Sequence, residues 1–503
     1  MKKIVFLPLD ERPCNYKFPQ FLYKNSVDLI VPPAEILGDK KKPANVDGLS
    51  EFLRKEYGDA DALVLSLDML VYGGLLPSRL HYFETPTIEG RLNVLEELKR
   101  TNPKLKIYAF SLIMRCPKYS SDDEEPDYYA DCGAEIHKLG VCLHKKKLGL
   151  EDDETQIAEL ERKITAKNLD DYLSRRKKNI AVNIRATELR KAGVIDYLVI
   201  PQDDSAPYGF TAMDQVLVRD KINALGLSAK ILMYPGADET GLALLSHCLN
   251  DLYGKKPAVY IRYAAENASA IIPPYEDRPM GETVKYHVMA AGGRLASCFA
   301  DSDVVLCLTA PSKGMTEARY QNKHTVEYDC FRNVPELIDF VSVGKPFIIA
   351  DNAYANGGEL ALLNVLNEEK LLDKPAAYAG WNTNANTLGT ALAQGFLYLI
   401  NGATKEHYDF LALRYVEDFG YCGKVRFLVA DNMLSDYGYD YFYVENERGV
   451  IAEKVKAELE KFVAEHMSSV ADEIEIADVY MPWRRMFEAG ITAKWKKSDE
   501  KSR

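Results

Sequence analysis

Residues 200–209 read IPQDDSAPYG, and two carboxylates, Asp203 and Asp204, stand side by side where an apolar run, IDYLV, gives out. Adjacent acids repel. At an exposed turn water solvates them. In a partly buried site, repulsion and desolvation raise one pKa and leave a protonated acid beside an ionised partner. Such a pair suits glycosidic cleavage: the acid protonates the leaving oxygen, and its partner holds a neighbouring 2-acetamido group that attacks the anomeric carbon. Successive strand residues point to opposite faces, but where a strand ends the chain is turning and both acids can reach one pocket.

Other apolar runs end in the same manner. LDERPCN supplies Asp10, Glu11, Arg12 and Asn15; LDMLVYGG supplies Asp68 and Tyr72; MRCP supplies Arg115. YPGADETG adds Tyr234, Asp238 and Glu239, DNAYANGG adds Asp351, Asn352 and Asn356, and GWNTNANTLG adds Trp381, Asn382, Asn384 and Asn386. Any one cluster is an ordinary turn or helix cap. Arginine, tryptophan and paired aspartates together exceed what turns need. In parallel α/β folds the carboxyl ends of the strands lie on one face, and ligands bind there. The clusters are therefore expected to converge on one small-molecule site. Carboxylates and amides at such a site would bind vicinal hydroxyls, and Trp and Tyr would stack on sugar C–H faces.

The motifs of other chemistries are missing. There are eight histidines and no HExxH, no GxSxG, no GxGxxG after a strand and no GxxxxGK[ST]. Only His81 lies near a cluster, just beyond Arg79. The first reading is a retaining glycoside hydrolase acting on a carbohydrate, including a substrate-assisted route on an N-acetylated sugar, with no cofactor. The second is a sugar isomerase, lyase or hydrolase with Mg²⁺ or Mn²⁺ held by Asp10, Asp68, Asp203, Asp204, Asp238 and Glu239. The third is a non-catalytic carbohydrate-binding protein.

The elements that must position these residues are short apolar runs: KIVFLPL (3–9), VDLIVPP (27–33), DALVLSL (61–67), LKIYAFSLI (105–113), IDYLVIP (195–201), KILMYP (230–235), AVYIRY (258–263), DVVLCLT (303–309), PFIIA (346–350) and AAYAG (376–380). They do not alternate polar with apolar, so they predict strands covered on both faces, which means parallel sheet. Helical segments such as VDGLSEFLRKEYG and FTAMDQVLVRDKINALG separate most of them. The class is α/β: a (β/α) barrel-like catalytic domain over 1–402 and a C-terminal α+β cap over 403–503, or alternatively two or more doubly wound domains. Residues 120–192 form a charged helical insertion, read as a solvated arm, with a lid or dimer contact as the functional alternative. The tail KWKKSDEKSR reads as frayed.

With 503 residues, 47% of them hydrophobic, the chain can bury a large core. Its net charge is −12, from 75 acidic and 63 basic residues, which argues against a nucleic-acid partner. No run approaches the ~20 apolar residues of a membrane span. The apolar part of MKKIVFLPLDERP is shorter than a signal-peptide core and reads as a first strand. Nine scattered cysteines with no CxxC fit reduced thiols in a cytoplasmic protein.

LPLDERPCNYKFP, LDMLVYGGLLPSR, IPQDDSAPYG, GADETG, DNAYANGG, GWNTNANTLG and YMPWRRMFEAG together resemble the domain-of-unknown-function family 4127, from about residue 3 to 490. A fold-level likeness extends to glycoside hydrolase family 84, the O-GlcNAcase-like enzymes. Its Asp–Asp pair is matched by Asp203 and Asp204, and its later Asp-Asn-Tyr-Pro stretch is matched in part by DNAY at 351–354, with Tyr354 displaced and the proline missing. That likeness would make Asp203 the acetamido-orienting carboxylate and Asp204 the general acid/base, with Asn352 and Asn382 binding sugar hydroxyls.

Overall fold

The computed structural model describes residues 1–339 and 344–496. Each of the ten apolar runs holds a parallel strand. The first sheet comprises β1 (Lys3–Leu7), β2 (Asp28–Ile30), β3 (Ala62–Ser66), β4 (Lys106–Phe110), β5 (Tyr197–Gln202) and β6 (Ile231–Pro235). Their spatial order is β2-β1-β3-β4-β5-β6, with every pairing parallel. The second sheet comprises β7 (Ala258–Tyr263), β8 (Arg294–Leu295), β9 (Val304–Leu308), β11 (Phe347–Ala350) and β13 (Ala377–Ala379). Its order is β13-β11-β9-β7-β8, again all parallel. Mixed α/β architecture with parallel sheets is thus as expected.

Four short or late strands escaped the sequence reading besides β8. β10 (Thr316–Glu317) pairs with β12 (Tyr354–Ala355), and β14 (Ile474–Tyr480) forms an antiparallel pair with β15 (Gly490–Trp495). Two-residue strands carry no periodicity to read. The end of the tail, 497–503, lies outside the described residues.

The chain divides into two compact units. The first holds Met1–Glu11, Val27–Leu244 and Tyr275–Arg278; the second holds Arg12–Ser26, Leu245–Pro274 and Pro279–Arg503. The first sheet lies in the first unit and the second sheet in the second. The region from 403 onward, expected as a separate cap, belongs to the second unit.

The helical insertion lies between β4 and β5 as expected, as helices Tyr129–Lys147, Glu154–Ile164 and Ala166–Lys191. It is not a solvated arm. The last helix buries Tyr172, Arg176, Asn179, Asn183 and Ala186, spaced three or four apart along one face. Ile136, Leu139, Leu160, Ile164 and Tyr172 share a core with Met114 and Phe210. The charged residues that dominate its sequence occupy both faces, and charge pattern alone does not separate a buried hydrogen-bonding arginine from a solvated one.

Candidate functional site

In the first sheet the strand order reverses between β1 and β3. Asp10 follows β1 and Asp68 follows β3, and both are buried. Ser66 caps the helix Leu67–Tyr72 by accepting from the Met69 N–H at 3.1 Å, which places Asp68 in its first turn. The Leu112 N–H donates to Asp68 Oδ2 at 3.0 Å. Burial nevertheless pushes the Asp68 carboxyl up to about 7, with the nearby Asp203 charge adding to the effect.

Gly73 ends that helix in the left-handed region at φ 88°, and a Cβ there would lie 2.7 Å from the Ala44 backbone nitrogen. The turn starts a second short helix, Leu75–Leu80, which carries Arg79. Arg79 is almost fully buried and its Nη2 donates to Asp203 Oδ2 at 2.6 Å. Its Nη1 reaches Glu124 Oε2 at 3.1 Å and Glu125 Oε1 at 3.3 Å. Arg115 takes the other aspartate: Nη1 to Asp204 Oδ2 at 3.0 Å, with Nε to Glu125 at 2.7 Å and Nη2 to Glu124 at 2.8 Å. Two arginines thus interlock four carboxylates.

The insertion fixes this arrangement. In the loop after β4, residues 111–115, the Ile113 carbonyl accepts from the Asp203 N–H at 3.2 Å, and the carbonyls of Leu112, Met114 and Arg115 need donors from elsewhere. The helix Ala166–Lys191 supplies donors to them: Asn183 to Leu112 O at 3.1 Å, and Arg176 to Met114 O and Arg115 O, each at 2.8 Å. Asn179 donates to Ser78 O at 2.8 Å, beside Arg79, and its Oδ1 bonds His81 Nε2 at 2.8 Å. The His81 ring stacks on Tyr72 at 4.6 Å, and burial lowers its pKa to about 4, so it is neutral at physiological pH. The insertion therefore positions both arginines.

Asp204 differs from its neighbour. Its backbone sits in the left-handed region at φ 39°, a conformation that costs a non-glycine residue energy and collects at functional sites. Its side chain keeps 23% of its exposure, against 9% for Asp203. Burial pushes its carboxyl up to about 6; Arg115 opposes that rise, and the Asp203 charge supports it. Beside the pair, Gln202 Nε2, Ser205 Oγ and Glu125 Oε2 are buried without a hydrogen-bond partner, as is Tyr72 OH near Asp68. Native proteins seldom leave such atoms bare, and an ordered water or a polar ligand would satisfy them.

Tyr234 lies on β6, and Asp238 and Glu239 follow it, all buried in the first unit. Glu239 folds back over Gly236, where a Cβ would meet its Oε1 at 2.1 Å, and accepts from the Ala237 N–H at 3.0 Å. Burial pushes it up to about 8.

The remaining expected site residues belong to the second unit. Asp351, at the end of β11, accepts from Thr309 Oγ1 at 2.9 Å, the Glu359 N–H at 2.7 Å and Tyr378 OH at 2.8 Å. Three donors mark it as a bolt between strand ends. Asn352 Nδ2 donates to Asn384 Oδ1 at 2.7 Å, and the Asn382 carbonyl accepts from the Asn356 N–H at 2.7 Å. Trp381 is packed rather than presented: its Nε1 donates to Thr390 at 3.1 Å and its ring meets Phe18 edge-on at 6.1 Å. Arg12 stacks over Trp483 at 4.6 Å. The expected strand-end residues are thus grouped as ten in the first unit and nine in the second: Arg12, Asn15, Asp351, Asn352, Asn356, Trp381, Asn382, Asn384 and Asn386.

Several participants were missed. Glu124 and Glu125 lie in the acidic run SDDEEPD, which reads as solvent-facing, yet Glu125 is 1% exposed. Arg79 stands alone among apolar residues in LLPSRL, a signal that could have found it. In the second unit, Arg414 pairs with Glu417 and Asp418, and the latter two lie in an 11-residue π-helix, Tyr415–Val425, a form common at functional sites. Among the described residues, no group of three or more His, Cys, Asp or Glu is placed to hold a metal ion, including the six acids of the Mg²⁺ or Mn²⁺ reading. No helix among them is long and apolar enough to cross a membrane.

The raised carboxyls give a test by stability. A buried acid with folded pKa above its unfolded value stabilises the fold fully at low pH and loses that contribution as pH rises through the folded pKa. For Asp68 the window runs from about 4 to above 7. Thermal midpoints are expected to fall between about pH 4 and 8. Asp68→Asn should match the wild type at the acid end and exceed it at the alkaline end, by up to about 4 kcal/mol for a shift of ~3 units. Parallel melting curves for the two proteins across the range would dismiss this account.

The chain belongs to the DUF4127 family, described as a protein of unknown function, whose profile matches residues 4–492. Comparison with curated proteins finds no match, and comparison with solved structures finds none.

Proposed function

Taking membership of that family as the premise, we propose that the protein is a retaining glycoside hydrolase whose chemistry resides in the first unit. Asp204 is the general acid/base, and Asp203 orients a 2-acetamido group of the substrate. The observation that carries the reading is the unequal environment of two adjacent carboxylates. Asp203 is clamped by Arg79 at 2.6 Å and enclosed. Asp204 is partly open and holds its proton up to about pH 6, as an acid that must donate to a leaving oxygen requires. The unpartnered Tyr72, Gln202 and Ser205 atoms are suited to sugar hydroxyls and the acetamido group.

We read the architecture as two doubly wound domains. In the first sheet the terminal strands β2 and β6 each have one neighbour, and the order reverses once, between β1 and β3.

A panel of aryl glycosides, with and without a 2-acetamido group, tests the activity. Turnover of 2-acetamido substrates with retained anomeric configuration is expected. Turnover of no member of the panel would end the proposal.

A further inference from the structure

The second unit contains a cavity of about 490 Å³, within the size range of small-molecule sites. Its walls come from two stretches, 261–266 and 330–336. The first is the end of β7 with the loop beyond it. The second leads into the helix Val334–Asp339, which follows β9. β7 pairs with β8 on one side and β9 on the other. The chain runs outward from β7 to β8, returns to β9, and then proceeds the other way to β11 and β13. Right-handed crossovers in opposite directions place the two following segments on opposite faces of the sheet. A crevice opens between the ends of β7 and β9, and the cavity lies at this switch point of the second sheet.

The lining defines the ligand. Arg262 and Glu336 form an ion pair whose side chains remain 35% and 40% exposed, so both can turn to a ligand. Arg332 is a fixed wall: it donates to Glu359, to Thr309 O at 2.9 Å and to Tyr328 O at 3.4 Å. Glu266 and Glu336 balance Arg262 and Arg332, leaving no excess positive charge for a phosphate. Phe331 is 50% exposed at the edge of this polar lining. A guanidinium beside a carboxylate offers donors and acceptors to vicinal hydroxyls, and the Phe331 ring, with Lys313 Nζ 5.6 Å over one face, offers its other face to C–H groups. We infer that the crevice between β7 and β9 binds a neutral polyhydroxylated small molecule, a mono- or disaccharide, through Arg262, Glu336 and Phe331.

The inference is independent of the acid pair, and titration calorimetry on the full chain tests it. The probes are glucose, galactose and cellobiose at millimolar concentration, which lack the 2-acetamido group proposed for the acid pair, with inorganic phosphate as the anionic control. Saturable binding of at least one sugar is expected, weakened tenfold or more in Phe331→Ala and in Arg262→Ala. Both substitutions are at partly exposed positions, and retained melting temperature would verify the fold. Binding of phosphate alone, binding of no sugar, or sugar binding that survives both substitutions would each overturn it.

Discussion

Asp204→Asn should lower kcat on a 2-acetamido aryl glycoside by about 10²–10⁴-fold, the usual contribution of a positioned general acid. The substitution keeps an oxygen for Arg115 Nη1, and Arg115 retains Glu124 and Glu125, so the fold should hold. The loss should depend on the leaving group. An alkyl alcohol departs only with a proton, a nitrophenolate needs less help and a dinitrophenolate departs without one, so the loss should be largest on alkyl glycosides and activity on dinitrophenyl substrates should be nearly spared. In the wild type, kcat/KM should decline on the alkaline side with an apparent pKa near 6, because the acid must be protonated to act. Asp203→Asn removes a charge that raises the Asp204 pKa, so that limb should move to lower pH, along with a loss of rate on acetamido substrates. An Asp204→Asn protein with wild-type turnover on alkyl glycosides would sink the assignment.

The sequence made the parallel strands legible because both faces of each are covered. Continuous Val, Ile and Leu then leave a run such as ALVLS at β3 without polar interruption. The edge strand β8, two exposed residues long, leaves no such trace. At the site, strand-end position pointed to Asp68, Arg115, Asp203 and Asp204 because topology brings those ends to one edge. It did not reveal what holds them. Arg79 comes from a helix two turns beyond its strand, Glu124 and Glu125 from a loop with the composition of a solvated run, and Arg176 and Asn183 from an insertion. Whether a charged residue is solvated or buried against an opposite charge is decided by tertiary contacts up to 124 residues apart in the chain, as between Arg79 and Asp203. Trp381 shows the converse. A strand-end tryptophan suggests a stacking platform, but its ring is buried against Phe18 and beneath the Arg414 guanidinium.

The largest stability effect is expected at Arg79, a residue that strand-end position alone did not select. Its guanidinium is 1% exposed and neutralises Asp203, Glu124 and Glu125 together. Replacing it by alanine leaves Asp203 and Glu125 buried with less opposite charge, and breaking a buried pair from one side costs about 3–5 kcal/mol. The thermal midpoint should fall by on the order of 10 °C. Arg79→Lys keeps the charge but loses the planar fork that serves three acceptors, and should fall between the two. The deficit arises from ionised acids, so it should shrink as pH drops through the carboxylate range and the stranded groups take up protons. Adding Asp203→Asn to Arg79→Ala should recover part of the loss, since neither partner is then left charged and alone. The same cycle bears on chemistry, because Arg79 is one of the charges that hold the Asp204 pKa down. Arg79→Ala should therefore move the alkaline limb of any activity to higher pH, opposite to Asp203→Asn. A cost below about 1 kcal/mol, the range of a surface pair, would show that the arginine does not hold the acid pair in place.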